Sequence, residues 1–178
     1  MDIYTIGHST HSEEEFISIL KAYKIETLID IRSYPGSNYV PQFNKENMEN
    51  WLPENGIKYI HMAKLGGRRG RIKDVDEELI SGWRQEAFKK YAAYTLTEEY
   101  KEGIKELIAI AKNERVCYMC AEILPWRCHR LLVSNTLVSM GFNVYHIMSE
   151  TKTIKHELNK YGAKVIEKDG RLIYPKDK

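Results

Sequence analysis

The chain has 178 residues and carries 27 Lys and Arg against 25 Asp and Glu, so its formal net charge is only +2. This length suffices for one domain with a buried core, and the balanced charge gives no overall attraction to nucleic acid or an anionic membrane. No apolar run reaches the length of about 18 residues that a membrane-spanning helix needs. The first ten residues have the pattern of a strand rather than a signal peptide, which predicts a cytoplasmic protein.

Short apolar runs alternate with amphipathic segments over most of the chain. The runs that favour strands are residues 3–6, 27–31, 57–60, 116–119 and 143–147. Strands separated by helices form parallel sheets that are covered on both faces. The sequence therefore predicts an α/β fold with a mainly parallel five-stranded sheet and helices on both faces.

Local signals mark where the helices begin. Ser12 precedes Glu15 by the spacing of a capping box, and a helical stripe follows. Asn44 offers a cap for a short second helix. Residues 77–113 have a mostly helical pattern with a break around residues 94–97, where Thr97 offers another cap.

The C-terminal part adds short elements. Residues 152–160 favour a short helix, and residues 165–168 and 171–174 favour the strands of a β-hairpin joined by Asp169-Gly170, a type I′ turn signal. No linker separates this part from the rest. We predict a single domain over residues 1–178, with residues 151–178 appended to a core of about residues 3–148.

Polar residues follow the strand-like runs at the points where the strands end. Ligands of open parallel sheets bind beyond these carboxyl ends, so we expect the polar residues to share one site. The residues predicted to bind the substrate are His8, Ser9, Arg32, Tyr34, Gly66, Gly67, Arg68, Arg130 and His146.

The segment over residues 115–140 holds the densest group of reactive side chains. Its pattern predicts a strand, a loop and a helix that Gly141 ends. The helix dipole at the helix start, together with Arg127 and Arg130, lowers the pKa of a nearby thiol. One thiol is predicted as nucleophile, with Glu122 or a histidine as acid or base. The predicted catalytic residues are Cys120, Glu122, Cys128 and His129.

Other interpretations of this segment stay open. Its cysteines also fit a structural role at a helix start, with His129 and Arg130 binding loop carbonyls. Glu122 and Asp30 together would suit glycosidic or N-glycosidic cleavage by two carboxylates. For Asp30 we favour a structural ion pair with Arg32 or Arg130.

The three cysteines lie within residues 117–128 and form no disulfide framework. Residues three apart on a strand point to opposite faces, so Cys117 is predicted to be a buried core thiol. Zinc is an alternative for Cys120, Cys128 and His129 together with a distant histidine, although their spacing matches no zinc finger. We predict no metal site and no cofactor.

Residues 64–73 form a basic stretch with five cations and three glycines. Glycine lets backbone amides approach an anion, and arginine binds phosphate through two parallel hydrogen bonds. Tyr34 and several tryptophans offer rings on which a base stacks. These features favour phosphate or nucleotide recognition, with a solvated loop as the alternative.

Several short motifs resemble the domain of unknown function 488 family, and they occur in order over residues 3–148. They are residues 5–9 (TIGHS), residues 28–32 (LIDIR) with Pro35 and Ser37, Phe43, residues 56–59 (GIKY), residues 65–67 (LGG), residues 120–122 (CAE), residues 128–130 (CHR) and residues 146–147 (HI). The resemblance implies the family's small α/β fold. It implies no reaction, because the family has no settled activity.

A weaker resemblance is to rhodanese-type sulfurtransferases. Residues 28–32 look like their early strand with its Asp-x-Arg, and a cysteine after a central strand looks like their active-site loop. These enzymes have an arginine at the position where this chain has Trp126, and Pro125 interrupts the loop here. The departure puts a backbone cradle for an anion in doubt.

The leading hypothesis is an enzyme, a hydrolase or transferase, that acts on a small anionic, nucleotide-like or phosphorylated substrate with Glu122 and a cysteine thiol. The first alternative is a nucleic-acid-binding module with structural cysteines, whose affinity falls steeply with salt. The second alternative is rhodanese-like sulfur transfer or thiol redox chemistry. No membrane partner is expected.

Overall fold

The computed structural model describes residues 1–176, which form eight strands and five α-helices. The strands are β1 (Asp2–Gly7), β2 (Thr27–Asp30), β3 (Lys58–His61), β4 (Val116–Cys120), β5 (Asn143–Ile147), β6 (Thr153–Lys155), β7 (Ile166–Lys168) and β8 (Arg171–Ile173). The helices are α1 (Glu13–Ala22), α2 (Lys45–Glu54), α3 (Glu86–Tyr94), α4 (Glu98–Ala111) and α5 (Arg130–Ser139).

Six strands form the central sheet in the order β3-β2-β4-β1-β5-β6. The first five are parallel to one another, and β6 runs antiparallel to β5. The mainly parallel α/β fold is confirmed, but the sheet has six strands instead of five. The helix predicted over residues 152–160 is wrong, because Thr153 and Ile154 are β-branched and pair with the open edge of β5.

The local signals for caps and turns are mostly confirmed. The Ser12 Oγ accepts a hydrogen bond from the backbone N–H of Glu15 at 3.1 Å, and the Thr97 Oγ1 accepts one from Tyr100 at 3.3 Å. Asn44 precedes α2 without a side-chain cap. Residues 77–113 are helical only in a 3-10 turn at 77–79, in α3 and in α4.

The C-terminal hairpin of β7 and β8 is confirmed. Asp169 and Gly170 have φ values of 54° and 75°, which a type I′ turn requires at both central positions. Tyr174, which follows the hairpin, is buried, and its backbone exchanges hydrogen bonds with Leu79 and Gly82. These bonds fix the chain after the hairpin to the segment before α3.

The strands alternate between two cores, one on each face of the sheet. Cys117 and Met119 of β4 pack with α1 and α2, whereas Val116 and Tyr118 pack with α3, α4 and α5. Helices therefore cover both faces, as predicted. Cys117 has no exposed surface, and burial raises the pKa of its thiol well above the ordinary range.

The carboxyl ends of β1, β2 and β4 meet in the middle of the sheet. The segments that follow β1 and β4 stay hydrogen-bonded to each other, since the His8 N–H donates to the carbonyl of Cys120 at 2.9 Å. A Cβ at Gly7 would lie 1.9 Å from the carbonyl oxygen of Glu122, so only glycine lets the chain after β4 cross here. Among residues 1–176, no helix is long and apolar enough to cross a membrane.

Candidate functional site

A cavity of about 590 Å³ lies beyond the carboxyl ends of β1, β2 and β4. Its walls are the chain after each of these strands, residues 67–68 of the basic stretch and the first turns of α3. Most of the residues predicted for the site line it. They are His8, Arg32, Tyr34, Gly67, Arg68, Cys120, Glu122, Cys128 and His129.

Two thiols lie together in the wall of the cavity. Cys120 ends β4, Cys128 precedes α5, and their Sγ atoms are 3.0 Å apart. Both are free thiols, and Cys128 is the more exposed of the two, since Cys120 is only 2% exposed. A 3-10 turn over Pro125–Arg127 returns the chain so that the two sulfurs meet.

Arg130 lies beneath the two thiols and is fully buried. Its Nε donates to the Sγ of Cys120 at 3.1 Å, and its Nη1 donates to the Oγ1 of Thr5 at 3.0 Å. Its Nη2 donates to the carbonyls of Glu122 and Ile123 at 2.5 and 3.3 Å. Over residues 1–176, no carboxylate lies within ion-pair distance of this guanidinium.

The two thiols have opposite protonation preferences. Burial raises the pKa of the Cys120 thiol, and its hydrogen bond to Cys128 keeps its proton in place. Burial also acts to raise the pKa of Cys128, but the bond from Cys120 and the charge of Arg130 overcome it and lower that pKa. The backbone N–H of Arg130 at the start of α5 donates to the Cys128 Sγ at 3.4 Å. The pair is therefore suited to hold one proton and one negative charge.

His129 lines the cavity with a neutral ring whose unprotonated nitrogen lies beside Gly67. Its Nε2 lies 2.7 Å from the carbonyl oxygen of Ile31, which only accepts, so Nε2 carries the proton. Burial lowers the pKa of the ring, which keeps it neutral. The Nδ1 faces Gly67, where a Cβ would lie 2.5 Å from it, so glycine leaves the space that this ring occupies.

Arg32 and Asp30 form the structural ion pair that the sequence favours. Asp30 is fully buried and accepts from the Nε and Nη2 of Arg32 at 2.9 and 2.7 Å, and from the hydroxyl of Tyr59 at 2.5 Å. The Nη2 of Arg32 also donates to the carbonyl of Phe43 at 2.6 Å. Most of the donors of Arg32 are therefore used inside the protein.

Both ring nitrogens of His8 form hydrogen bonds inside the protein. Its Nδ1 donates to the carbonyl of Ser9 at 2.8 Å, and its Nε2 accepts from the Nη1 of Arg32 at 3.2 Å. Burial, together with the charge of Arg32, lowers the pKa of His8 to about 4. Ser9 does not line the cavity, and its backbone N–H pairs with the carbonyl of Ala121 at 3.0 Å.

The mouth of the cavity is cationic and aromatic. Arg68 and Arg127 are exposed there, and the guanidinium of Arg68 lies 5.8 Å from the ring centre of Tyr34. Tyr34 is 75% exposed. Glu122 also faces the cavity, with its Oε1 at 3.5 Å from the backbone N–H of Leu124.

The basic stretch does not act as one unit. The side chain of Arg69 donates to the carbonyls of Ala63 and Gly66 and lies 3.8 Å from the ring centre of Tyr94. Arg71 and Lys73 line a different surface cavity. Gly66 packs on Ser33 outside the main cavity, so within this stretch only Gly67 and Arg68 reach it.

His146 lies in the interior instead of in the cavity and is 1% exposed. Its Nδ1 is 2.7 Å from the Oγ1 of Thr5, and its Nε2 is 2.9 Å from the Nδ1 of His156. The Nε2 of His156 lies 2.7 Å from the Oδ1 of Asn135. These bonds form a series that begins at Arg130, which only donates to Thr5, and ends at this Oδ1, which only accepts. With each group donating to the next, both histidines are neutral. Burial lowers the pKa of His146 to about 2 and that of His156 to about 4.

Helix α3 contributes a wall of the cavity that no sequence motif indicates. Ala87, Phe88 and Tyr91 line the cavity there, and the ring of Tyr91 packs edge-on against His129 at 5.1 Å. A helical apolar stripe does not distinguish residues that line a cavity from residues of the core. Across residues 1–176, no group of three or more His, Cys, Asp or Glu side chains is arranged to hold a metal ion.

Comparison with known proteins finds one family. The sequence model described as domain of unknown function DUF488 matches residues 12–137. No curated protein and no solved structure matches the chain, so the likeness to rhodanese-type sulfurtransferases is not supported. The matched segment contains both thiols and Arg130, whereas His146 and His156 lie beyond its end.

Proposed function

Since the chain belongs to the family described as domain of unknown function DUF488, whose description gives no reaction, we propose a function from the site: an enzyme that attacks a small anionic substrate with the Cys128 thiolate. The nearby acid and base groups are Glu122 and His129. The reaction class is nucleophilic displacement, as in a transferase or a hydrolase with a covalent intermediate.

One observation carries this proposal: Arg130 is buried, and among residues 1–176 no carboxylate lies within ion-pair distance of its guanidinium. A buried charge without an opposite charge is costly, and arginine does not lose its proton in proteins. The sulfurs of Cys120 and Cys128 are the acidic groups beside it. A thiolate on this pair compensates the guanidinium, and a thiolate is the nucleophilic form of cysteine.

The walls of the cavity support a small anionic substrate. Arg68 and Arg127 provide positive charge at the mouth, and Tyr34 and Phe88 provide aromatic surface. A volume of about 590 Å³ is within the range of small-molecule sites. A planar anion of nucleotide size fits this combination of charge, rings and volume.

Two groups in the cavity suit proton transfer during the displacement. The Sγ of Cys128 forms a bond to the electrophilic centre while the bond to the leaving group breaks, and Glu122 is the carboxyl group placed to exchange a proton with that group. The free Nδ1 of His129 then accepts a proton from the water or second substrate that releases the product. Both side chains line the cavity with Cys128.

The distribution of the basic residues favours a small ligand over a nucleic-acid strand. A strand needs a continuous basic track. Here Arg69 is held by backbone carbonyls, and Arg71 and Lys73 line another cavity. Of the four basic residues at positions 68, 69, 71 and 73, only Arg68 lines the cavity that contains the thiols.

Alkylation of the folded protein tests the proposal. At pH 7, iodoacetamide should modify Cys128 at least about tenfold faster than the same cysteine in the unfolded chain, as peptide mass spectrometry reports for each site. The buried Cys117 should stay unmodified and serves as internal control. If Cys128 reacts no faster than the unfolded thiol, the proposed nucleophile is wrong.

The charge of the reagent tests the substrate class. The ratio of the alkylation rate with anionic iodoacetate to the rate with neutral iodoacetamide should be higher at Cys128 than for a free thiol in solution. The difference should be largest at low salt. Arg68→Gln should lower this ratio, while Arg71→Gln, in the same stretch but outside the cavity, should not. Adenosine monophosphate should slow the alkylation of Cys128. Equal ratios in wild type and Arg68→Gln, without protection by the nucleotide, would overturn the anionic substrate.

A further inference from the structure

We propose that Cys128 and Cys120 are a two-electron redox pair that reduces small anionic disulfides and becomes an intramolecular disulfide. This inference rests on the Cys128 thiolate of the proposed function and adds a second requirement, a resolving thiol within reach. It gives a chemical role to Cys120, the neighbour of the nucleophile, which has none in the displacement reaction.

The geometry of the pair carries the inference. The two Sγ atoms are 3.0 Å apart, and a disulfide has them at about 2.05 Å, so bond formation needs a movement of about 1 Å. The third cysteine has no such relation. Cys117 lies on the opposite face of β4, in the other core, with no exposed surface. The fold therefore brings two of its three cysteines together and buries the third apart from them.

The two thiols differ in a way that assigns their roles. Cys128 is the more exposed sulfur and accepts a hydrogen bond from the start of α5, so it meets the substrate as thiolate. Cys120 is nearly inaccessible, and its thiol donates to the Cys128 sulfur at 3.0 Å. A substrate disulfide reaches Cys128 first, and Cys120 can reach only the sulfur of Cys128.

The reaction then follows ordinary thiol–disulfide exchange. The Cys128 thiolate attacks one sulfur of the substrate R–S–S–R, forms a Cys128–S–S–R bond and releases RS⁻. The Cys120 sulfur then attacks the Cys128 sulfur, which breaks the bond to the second R–S group, and the proton of Cys120 leaves with that group as RSH. The substrate gains two electrons, and the protein loses two electrons in forming the Cys120–Cys128 bond.

Arg130 sets the direction in which this pair prefers to react. In the reduced form, one negative charge on the sulfurs compensates the buried guanidinium. In the disulfide form the sulfurs are neutral, and over residues 1–176 no carboxylate takes their place. The disulfide is therefore the disfavoured state, and the pair reduces only substrate disulfides of higher reduction potential, such as those whose thiols have a low pKa.

Other ionisable groups also face the two sulfurs and contribute to their charge balance. They are Tyr91 from α3, Glu122 and Arg127 from the loop, and His129 at the start of α5. Tyr91 is buried with a raised pKa and stays neutral, and His129 is kept neutral by burial. The arginines select the substrate, because Arg68 and Arg127 at the mouth attract an anionic disulfide.

The first experiment uses 5,5′-dithiobis(2-nitrobenzoate), a dianionic aromatic disulfide that releases a coloured thiolate at each exchange. Wild type should rapidly release two coloured thiolates per chain, and peptide mapping should find Cys120 joined to Cys128. Cys120→Ser should release one and keep the reagent bound to Cys128. Bis(2-hydroxyethyl) disulfide, which is neutral, should react more slowly relative to its rate with a free thiol.

The outcomes separate this inference from the proposed function. If wild type releases one thiolate and keeps the reagent on Cys128, the redox pair is wrong and the nucleophile stands. If Cys128 gives no rapid release, both fail. The wild-type stoichiometry and peptide map do not depend on the folding of any variant.

The second experiment measures the equilibrium of the pair with glutathione. When glutathione disulfide oxidises a pair that holds one thiolate and one thiol, the two glutathione thiols that form take up one proton from solution. The equilibrium constant for forming the protein disulfide should therefore fall about tenfold per unit rise in pH around pH 7. Arg130→Met should shift the equilibrium toward the protein disulfide by at least about tenfold. Arg115→Met removes an arginine from the opposite end of β4 and should leave it unchanged. A pH-independent constant would overturn the anionic reduced pair.

Discussion

Arg32 lines the cavity, Arg130 lies buried beneath the two thiols of its wall, and both are held by hydrogen bonds inside the protein. The anion beside Arg32 is the Asp30 carboxylate at 2.7 Å. The groups beside Arg130 are the thiols of Cys120 and Cys128. A carboxylate is charged throughout the physiological pH range, whereas a thiol gains or loses its charge near neutrality.

This difference separates a structural pair from a reactive one. Asp30 is fully buried, and the hydroxyl of Tyr59 covers its second oxygen, so a ligand has no access to the carboxylate. The Cys128 sulfur faces the cavity and can be protonated, alkylated or oxidised. On the proposed function, the same guanidinium chemistry stabilises the fold at one strand end and a nucleophile at the next.

Removal of each arginine tests this contrast most strongly. Arg32→Met leaves Asp30 buried without its partner, and protonating a carboxyl group of ordinary pKa at pH 7 costs about 4 kcal/mol. Arg130→Met leaves a thiol that is protonated at pH 7 almost without cost. Urea unfolding should therefore show a loss of about 4 kcal/mol for Arg32→Met that Asp30→Asn in the same chain largely reverses, and a loss for Arg130→Met that Cys128→Ser does not reverse. Reversal of the Arg130→Met loss by Cys128→Ser, or none of the Arg32→Met loss by Asp30→Asn, would contradict this contrast.

Acid tests the buried histidines that continue the Arg130 network. The pKa of His156 is about 4 in the folded protein and about 6.5 in the unfolded chain. Between these values only the unfolded chain binds the proton, so stability is complete above about pH 6.5 and falls as the pH drops toward 4. His156 alone accounts for about 3 kcal/mol of this loss.

His156→Gln should flatten that pH dependence, because the glutamine amide still donates to the Asn135 Oδ1 and binds no proton. His11→Gln, outside the network, should leave the slope unchanged. The measurement is the free energy of unfolding in urea from pH 7 to pH 4. An unaltered slope in His156→Gln would show that other groups cause the acid sensitivity.

The reactivity of Cys128 should depend on Arg130 and not on Arg32. In Arg130→Met the pKa of the Cys128 thiol rises toward its ordinary value of about 8.5, so alkylation by iodoacetamide at pH 6 should slow by at least about tenfold. A conservative Arg32→Lys should change the rate far less. Slowing of the same size in both variants would mean that the whole cavity, and not one guanidinium, activates the thiol.

The sequence predicts those features that depend on neighbours along the chain. The cap at Ser12 and the hairpin turn at Asp169 are local, and both are confirmed. The edge strand β6 was missed because Thr153 and Ile154 become a strand only where β5 leaves an unpaired edge. A short local sequence pattern does not show which strand edges remain open for pairing in the folded sheet.

The same limit applies to the site. The grouping at the carboxyl ends of the strands is predictable from topology, and the cavity lies there. The position of His146 near the end of a strand predicts that it lies at the site, although its alternation with the buried Val144 places both side chains on the same face of the sheet, in the interior. The 3.0 Å approach of the two thiols depends on how the loop after β4 folds back, which the spacing of the cysteines does not reveal.

Thr5 provides the finest test of the Arg130 environment. Its Oγ1 accepts from Arg130 and is hydrogen-bonded to His146, so Thr5→Val keeps the shape and removes both bonds. We expect a stability loss of about 1–3 kcal/mol from the unsatisfied groups. The guanidinium keeps its bonds to Cys120 and Glu122, so the alkylation rate of Cys128 should change by only about threefold or less. Thr5→Ser should restore both values. A loss of reactivity as large as in Arg130→Met would mean that the buried histidine network, and not the charge of the arginine alone, sets the state of the thiol.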